Sequence, residues 1–203
     1  DANTVHIVPH WNWENMEGKN IPVFVYTNGD CAELFLNGKS LGKKCKNPKS
    51  ENSVERFRLI WKDVIYEPGE LRAVAYKEGV KIGEAVVKTA GKPYQLRLTP
   101  DRTVIKSDGK DLSFILVEAL DRNGNPCPLA NNNFEIKVKG SGKFIGVDNG
   151  NPQSLTSFHS TKYDLFYGKA MIIVGASKTK GEITVEVISD GLKPAITRIT
   201  TQN

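Results

Sequence analysis

The residues best suited to contact a ligand lie near the start of the chain, in segment 9–13 (Pro-His-Trp-Asn-Trp). Large indole faces pack well against the C–H face of a pyranose ring. In an extended segment, residues two apart lie on the same side, so Trp11 and Trp13 beside His10 form a candidate carbohydrate-binding site. The alternative is that both tryptophans pack on the adjoining sandwich or on a neighbouring domain. We favour this structural packing over ligand contact.

No other motif points to catalysis. The three histidines, His6, His10 and His159, lack the spacing of a metal site, and no phosphate-binding loop or nucleophile elbow is present. Residues 148–151 (Asp-Asn-Gly-Asn) and Asp164 offer oxygen ligands, but the glycine falls in the wrong place for a calcium loop, so a structural turn is favoured. We therefore predict no metal, no cofactor and no catalytic residue.

The three cysteines form an odd set, so at least one cannot pair within the chain. A two-residue turn at 37–38 (Asn-Gly) predicts a hairpin and fixes its register. Cys31 would then lie opposite Lys44, and Cys45 would point to the other face of the sheet. A disulfide would need a β-bulge. The sequence therefore favours free, partly buried thiols, and the third cysteine, in the turn at 125–128, has no obvious partner.

Composition excludes several classes of function. With 39% hydrophobic and 25% charged residues over 203 positions, the chain is that of an ordinary globular protein. No apolar run reaches the roughly 20 residues of a membrane span. The net charge of +5 is dispersed except at residues 39–49, where lysines are more typical of a protected sheet edge, so no nucleic-acid partner is predicted. The start at Asp1, with no signal peptide, indicates a mature or excised fragment.

Strand-type alternation predicts the fold. Apolar residues alternate with polar ones in many short segments separated by Gly, Pro and Asn turns, whereas helical spacing is absent over any useful length. The alternating positions include Phe57, Leu59 and Trp61; Leu71, Ala73 and Ala75; Phe134, Ile136 and Val138; and Ile183, Val185 and Val187. We predict an all-β chain of two tandem immunoglobulin-like β-sandwich domains, residues 1–91 and 92–203, joined at 89–93.

Residues 148–168 interrupt this rhythm. A loop of this length is often functional, although it can also be a connection that crosses between sheets. We expect its aromatic residues, Phe158, Tyr163, Phe166 and Tyr167, to be buried in the sandwich.

Ordered motifs along nearly the whole chain resemble one enzyme family. Residues 9–13, 18–19, 23–28 and 33–42 are similar to the domain that follows the catalytic barrel in bacterial β-galactosidases of glycoside hydrolase family 2. A second set resembles the immunoglobulin-like C-terminal domain of these enzymes, at residues 146–152, 166–170 and 191–192.

The resemblance implies a parent that hydrolyses β-galactosides with retention and is exported to the bacterial periplasm or surface. It also implies that this chain is not itself an enzyme, because the catalytic glutamates lie on a barrel of about 250 residues that is not encoded here. The implied partner is the barrel of the same polypeptide, and a homodimer is a further possibility. Scaffolding, as an active-site wall or oligomer interface, is favoured over a carbohydrate-binding module and over a cell-surface adhesion pair.

Overall fold

The computed structural model describes residues 2–203 and is almost entirely β-sheet, which confirms the predicted fold class. The chain divides into two compact units, Asp1–Thr89 and Ala90–Asn203. This division lies two residues before the predicted one, and the domain limits 1–91 and 92–203 stay a prediction. No helix among residues 2–203 is long and apolar enough to span a membrane.

The first unit is a sandwich of a three-stranded and a four-stranded antiparallel sheet, ordered β1-β2-β5 and β4-β3-β6-β7. Its elements are β1 (Val5–Val8), β2 (Val23–Thr27), β3 (Cys31–Leu36), β4 (Lys39–Cys45), α1 (Ser53–Phe57), β5 (Leu59–Trp61), β6 (Glu70–Lys77) and β7 (Val80–Lys88). The alternation predicted over 71–76 is confirmed in β6, where Leu71, Ala73 and Ala75 are fully buried. The lysine-rich β4 is an edge strand, as predicted.

One helical turn, α1, was not predicted from the sequence. The side chain of Asn52 caps it by accepting a hydrogen bond from the Val54 amide, and none of its residues is buried. A helix of five residues is too short to show a helical repeat of apolar positions, so it leaves no periodic signal in the sequence. The alternation predicted for Phe57, Leu59 and Trp61 is confirmed at Leu59 and Trp61 of β5 but is wrong at Phe57, which ends α1 and is 69% exposed.

The prediction of free thiols at Cys31 and Cys45 is wrong, since the two residues form a disulfide. The hairpin starts in the predicted register, with Leu36 opposite Lys39 across the Asn-Gly turn. A bulge in β4 then shifts the pairing by one residue between Glu33 and Phe35, so Cys31 lies opposite Cys45. Gly42 lies in the bulge with φ 92°, a backbone region that favours glycine.

The second unit is a sandwich of a four-stranded sheet, β12-β14-β10-β8, and a five-stranded sheet, β13-β11-β15-β16-β9. Its strands are β8 (Gln95–Pro100), β9 (Val104–Lys106), β10 (Leu112–Leu120), β11 (Asn133–Gly140), β12 (Gly142–Asp148), β13 (Lys162–Asp164), β14 (Lys169–Ala176), β15 (Gly181–Ile188) and β16 (Ala195–Gln202). The predicted alternation in β11 and β15 is confirmed, because Phe134, Ile136, Ile183, Val185 and Val187 are buried in the core.

Segment 148–168 crosses between the two sheets. Its β13 pairs with β11 in the five-stranded sheet, whereas β12 and β14 on either side belong to the four-stranded sheet. The prediction that all four of its aromatic residues are buried is wrong. Tyr163 is buried, but Phe158 is 60% exposed and Tyr167 62% exposed, because the loop around them runs over the surface rather than through the core. Phe166 is half-buried.

Candidate functional site

The predicted carbohydrate-contact residues lie in the connection between β1 and β2, which contains turns rather than a strand. The rule that residues two apart share a face therefore does not apply to it. Trp11 and Trp13 both pack against the hydrophobic core of the first unit, but to different depths.

Trp11 is a core residue, with 0% of its surface exposed. Its indole Nε1 donates a hydrogen bond to the Glu67 carbonyl oxygen at 2.9 Å. Its ring meets the Tyr66 ring edge-on, with the centroids 5.0 Å apart. The Thr89 hydroxyl donates to the Trp11 carbonyl. Packing and hydrogen bonding thus use the whole side chain, and Trp11 would have to leave the core to stack on a sugar.

Trp13 and His10 form a partly exposed pair. Their rings are stacked, with centroids 4.8 Å apart and planes inclined by 27°. The Trp13 Nε1 donates to the His10 carbonyl at 3.0 Å, and the Asn12 amide donates to His10 Nδ1 at 3.2 Å. Burial lowers the pKa of His10, which favours the neutral ring that accepts this hydrogen bond at Nδ1. Carbohydrate contact by His10, Trp11 and Trp13 stays a prediction.

Other aromatic rings on the outer sheet faces of the first unit lie beneath cations. The Lys43 ammonium is 4.0 Å from the centroid of the Tyr76 ring. The Arg72 guanidinium is 4.4 Å from the centroid of Phe35. Each cation–π contact contributes about 0.5–1 kcal/mol at an exposed site. A sugar would have to displace these cations to reach the rings.

On the three-stranded sheet of the same unit, Arg58 is the cation that lies over the aromatic rings. Its guanidinium is 5.3 Å from the centroid of Phe24 and 5.8 Å from that of Tyr26, and it donates a 2.6 Å hydrogen bond to the Tyr26 hydroxyl. The outer faces of the first unit therefore offer no open aromatic platform at these rings.

The acidic loop of the second unit is a series of side chain–backbone turns. Asp148 Oδ1 accepts hydrogen bonds from the Asn149 and Gly150 amides, and Asn149 Nδ2 donates to the Asp164 carbonyl. Within residues 2–203, no three His, Cys, Asp or Glu side chains are grouped so that they could hold a metal ion. The oxygens of this loop are thus engaged in shaping the chain.

Two family models match the chain. Glycoside hydrolase family 2 C-terminal domain 5 matches residues 96–198, and Domain of unknown function (DUF4982) matches residues 18–83. The two matches fall in the second and the first unit respectively.

The relatives are enzymes much longer than this chain. Beta-galactosidase BoGH2A of Bacteroides ovatus is 39% identical over 203 residues, which are 100% of this chain and 23% of that protein. A putative beta-glucuronidase of Formosa agariphila is 34% identical over 193 residues, 92% of this chain and 18% of that protein. A solved beta-glycosidase from Bacteroides vulgatus superposes with a TM-score of 0.89 at 32% identity, over 98% of this chain and 25% of that one.

The sandwich pair and these matches first assign the chain to a class, β-sandwich domains of the kind found in glycoside hydrolases. More specifically, the chain belongs to glycoside hydrolase family 2 and corresponds to C-terminal domains of that family. The family predicted from the sequence motifs is confirmed. The chain spans about a quarter or less of the length of the relatives it matches.

Proposed function

We propose that this chain is a pair of non-catalytic accessory domains of a β-galactosidase-like glycosidase, and that it serves as a scaffold. The observation that carries this proposal is one of coverage. The whole chain aligns with only 23% of a β-galactosidase, and the described residues form two β-sandwiches rather than a barrel. The scaffold would extend the wall of the active site or supply a surface for assembly.

The parent reaction belongs to the proposal as well. Retaining glycosidases use two carboxylates about 5–5.5 Å apart, one as acid/base and one as nucleophile. We place both on the catalytic barrel of the parent, outside these domains, and we expect the parent to hydrolyse β-galactosides. The names of the relatives also include β-glucuronidases, so the assay of the parent includes a β-glucuronide beside the β-galactoside.

Export to the periplasm or cell surface is supported by the cysteines. The Cys31–Cys45 disulfide is of the kind that persists in oxidising compartments and is rare in the reducing cytosol. The third cysteine, Cys127, is a buried free thiol whose Sγ donates to the Gly91 carbonyl oxygen at 3.5 Å, an arrangement compatible with either compartment.

A direct assay tests the non-catalytic role. The 203-residue chain and the parent polypeptide are each incubated with p-nitrophenyl β-galactoside and p-nitrophenyl β-glucuronide. We expect release of nitrophenol by the parent and none above buffer by the chain alone, at equal molar concentration. Turnover by the isolated chain would overturn the proposal, and turnover of the glucuronide alone by the parent would correct the glycon.

A carbohydrate-binding function is the second candidate, favoured by one observation: the half-buried His10–Trp13 stack leaves part of an indole accessible. Titration with galactose, lactose and galactan oligosaccharides, followed by tryptophan fluorescence, separates the two functions. A saturable change that is lost in Trp13→Phe would establish binding. A flat response at millimolar sugar leaves scaffolding. Trp61→Phe, which changes a core indole, is the matched control.

A further inference from the structure

The outer surface of the four-stranded sheet in the second unit is apolar at its centre, on β10 and β14, with Lys143 and Asp148 of β12 beside it. In β10, Ile115 and Val117 point into the core, so the residues that alternate with them point outward. The register places Phe114 opposite Ile173 and Leu116 opposite Met171. We call this surface the apolar face, and it comprises Leu112, Phe114, Leu116, Ile145, Met171 and Ile173.

Two members of the apolar face meet above a glycine. A Cβ atom placed on Gly175 would lie 2.9 Å from Ile145 Cδ1 and 3.4 Å from Leu112 Cδ2. The side chains from β12 and β10 therefore close over the middle strand, β14. The apolar surface is continuous across these three strands.

The other sheet of the same unit has the polar outer surface that is usual in a sandwich. Charged side chains of β11, β15 and β16 alternate there with the core residues. They include Glu135, Lys137, Lys139, Glu182, Glu186 and Arg198. Only one of the two outer surfaces is thus suited to remain in water, although both sheets share one core.

The apolar face also lacks the cations that cover the aromatic rings of the first unit. Phe114 is 39% exposed and Met171 38% exposed. Within residues 2–203 no Lys or Arg lies over the Phe114 ring, unlike Phe35 and Tyr76. The exposed part of both side chains is therefore not covered by a cation within the described residues, and Asp148 of β12 lies opposite Met171.

Charged groups border the apolar face at both ends. At one end Glu118, only 6% exposed, accepts hydrogen bonds from Arg97 Nε and Nη2 at 3.1 and 2.7 Å and pairs with Lys169 at 3.5 Å. At the other end Arg102 pairs with Asp111 at 3.0 Å. An apolar centre with a polar rim is typical of a protein interface.

The size of the apolar face indicates what kind of partner covers it. Six partly exposed side chains leave on the order of 300 Å² of apolar surface. A stable complex between free proteins buries about 800 Å² on each partner. A partner on the same polypeptide, however, has an effective concentration in the millimolar range, so a smaller contact is enough. The chain aligns with only 23% and 18% of the length of two relatives. The remainder of a parent polypeptide of that length would supply such a tethered partner.

We propose that the apolar face docks on an apolar surface of the catalytic remainder of the parent polypeptide, an inference that rests on the proposed function. The sequence carries a signal for this contact. Residues 114–117 (Phe-Ile-Leu-Val) and 170–174 (Ala-Met-Ile-Ile-Val) are continuous apolar runs, as in strands buried on both faces. The prediction of the sandwiches used alternating patterns, and it therefore did not identify these two continuous apolar runs.

Thiol labelling tests the docking. Met171→Cys places a thiol on the apolar face, and Thr200→Cys places a matched control on β16, on the polar surface of the other sheet. Each variant is made in the 203-residue chain and in the parent, and the rate of reaction with a maleimide is measured. We expect Met171→Cys to react at least about tenfold more slowly in the parent than in the chain, equivalent to 1.4 kcal/mol of docking. Thr200→Cys should react equally in both.

The other outcomes overturn the proposal in distinct ways. Equal rates for Met171→Cys in the two proteins would mean that the face stays open. Slow labelling in the 203-residue chain that depends on its concentration would assign the face to a second copy. Slow labelling independent of concentration would assign it to the first unit. Far-UV circular dichroism confirms folding of each variant. As a second probe, Met171→Ser should raise the rate of proteolysis of the parent, because it weakens the docked contact. An unchanged rate would overturn the proposal. Hydrolysis assays report the non-catalytic role separately, so the two proposals fail independently.

Discussion

Replacing Cys31 and Cys45 by serine removes the covalent closure of the β3–β4 hairpin. The sequence separation of 14 closes a loop of 15 residues, for which loop entropy gives about 3 kcal/mol of stability at 25 °C. The Asn-Gly turn keeps the two strands near each other in part of the unfolded ensemble, which lowers the expected loss to about 2 kcal/mol.

Tryptophan fluorescence isolates this effect. All three tryptophans, Trp11, Trp13 and Trp61, lie in the first unit together with the disulfide. Urea unfolding followed by fluorescence therefore reports that unit alone. With a slope of about 1–1.5 kcal/mol per molar urea for a unit of this size, the midpoint should fall by about 1.3–2 M in the double variant.

The control is Cys127→Ala, which lies in the second unit and should leave the fluorescence midpoint unchanged. A fall of less than about 0.5 M in the double variant would refute the loop-closure argument. It would mean that the unfolded hairpin is already closed without its covalent link. An equal fall in Cys127→Ala would instead refute the independence of the two units on which the assay depends.

Three further outcomes are expected. Trp11→Ala should destabilise the first unit by about 3–5 kcal/mol in urea, since it empties a core site, whereas Trp13→Ala should cost markedly less; similar losses would contradict the burial difference. The pKa of Asp121 is below its usual value: burial raises it, but hydrogen bonds from the Gly91 and Asn125 amides and others more than offset this. The resulting stability is present above the unfolded pKa of about 3.9 and is lost as pH falls through the folded pKa. Acid unfolding of the second unit, followed by circular dichroism, should therefore occur at lower pH in the native chain than in Asp121→Asn. Unfolding of the native chain at the higher pH would contradict this argument. Burial, with the nearby Asp121 charge, raises the pKa of Cys127 to about 11, so at pH 8 iodoacetamide should modify it only after urea unfolding, and rapid labelling of the folded chain would contradict this.

Much of the sandwich architecture could be predicted because period-two patterns record burial directly. Leu71, Ala73 and Ala75 are apolar because they face a core, and that requirement is visible in the sequence alone. The hairpin turn was equally visible, since Asn37 and Gly38 adopt φ of 49° and 81°, which few other residue pairs tolerate.

The disulfide could not be predicted from alternation because one bulged residue reverses every facing beyond it. The signal that existed was Gly42, an isolated glycine within a strand, which typically marks a bulge. Its φ of 92° is the local cause of the shift that brings Cys31 opposite Cys45.

The candidate site was harder still, because its prediction assumed a backbone shape. Trp11 and Trp13 share a face only in an extended chain, and the segment between β1 and β2 turns instead. Composition places tryptophans near a core or a ligand without saying which.

Scaffolding and sugar binding make opposite demands on outer surfaces, and the two units meet the first demand more fully. A sugar platform needs an aromatic ring with one open face, but Phe35 and Tyr76 lie beneath cations and Trp11 lies within the core. A docking surface needs adjoining aliphatic groups without hydrogen-bonding duties, such as those beside Phe114 and Met171. Of the candidate sugar-contact residues, Trp11 is thus engaged inside the first unit and Trp13 is half-buried on His10, while the open apolar area is suited to another protein surface.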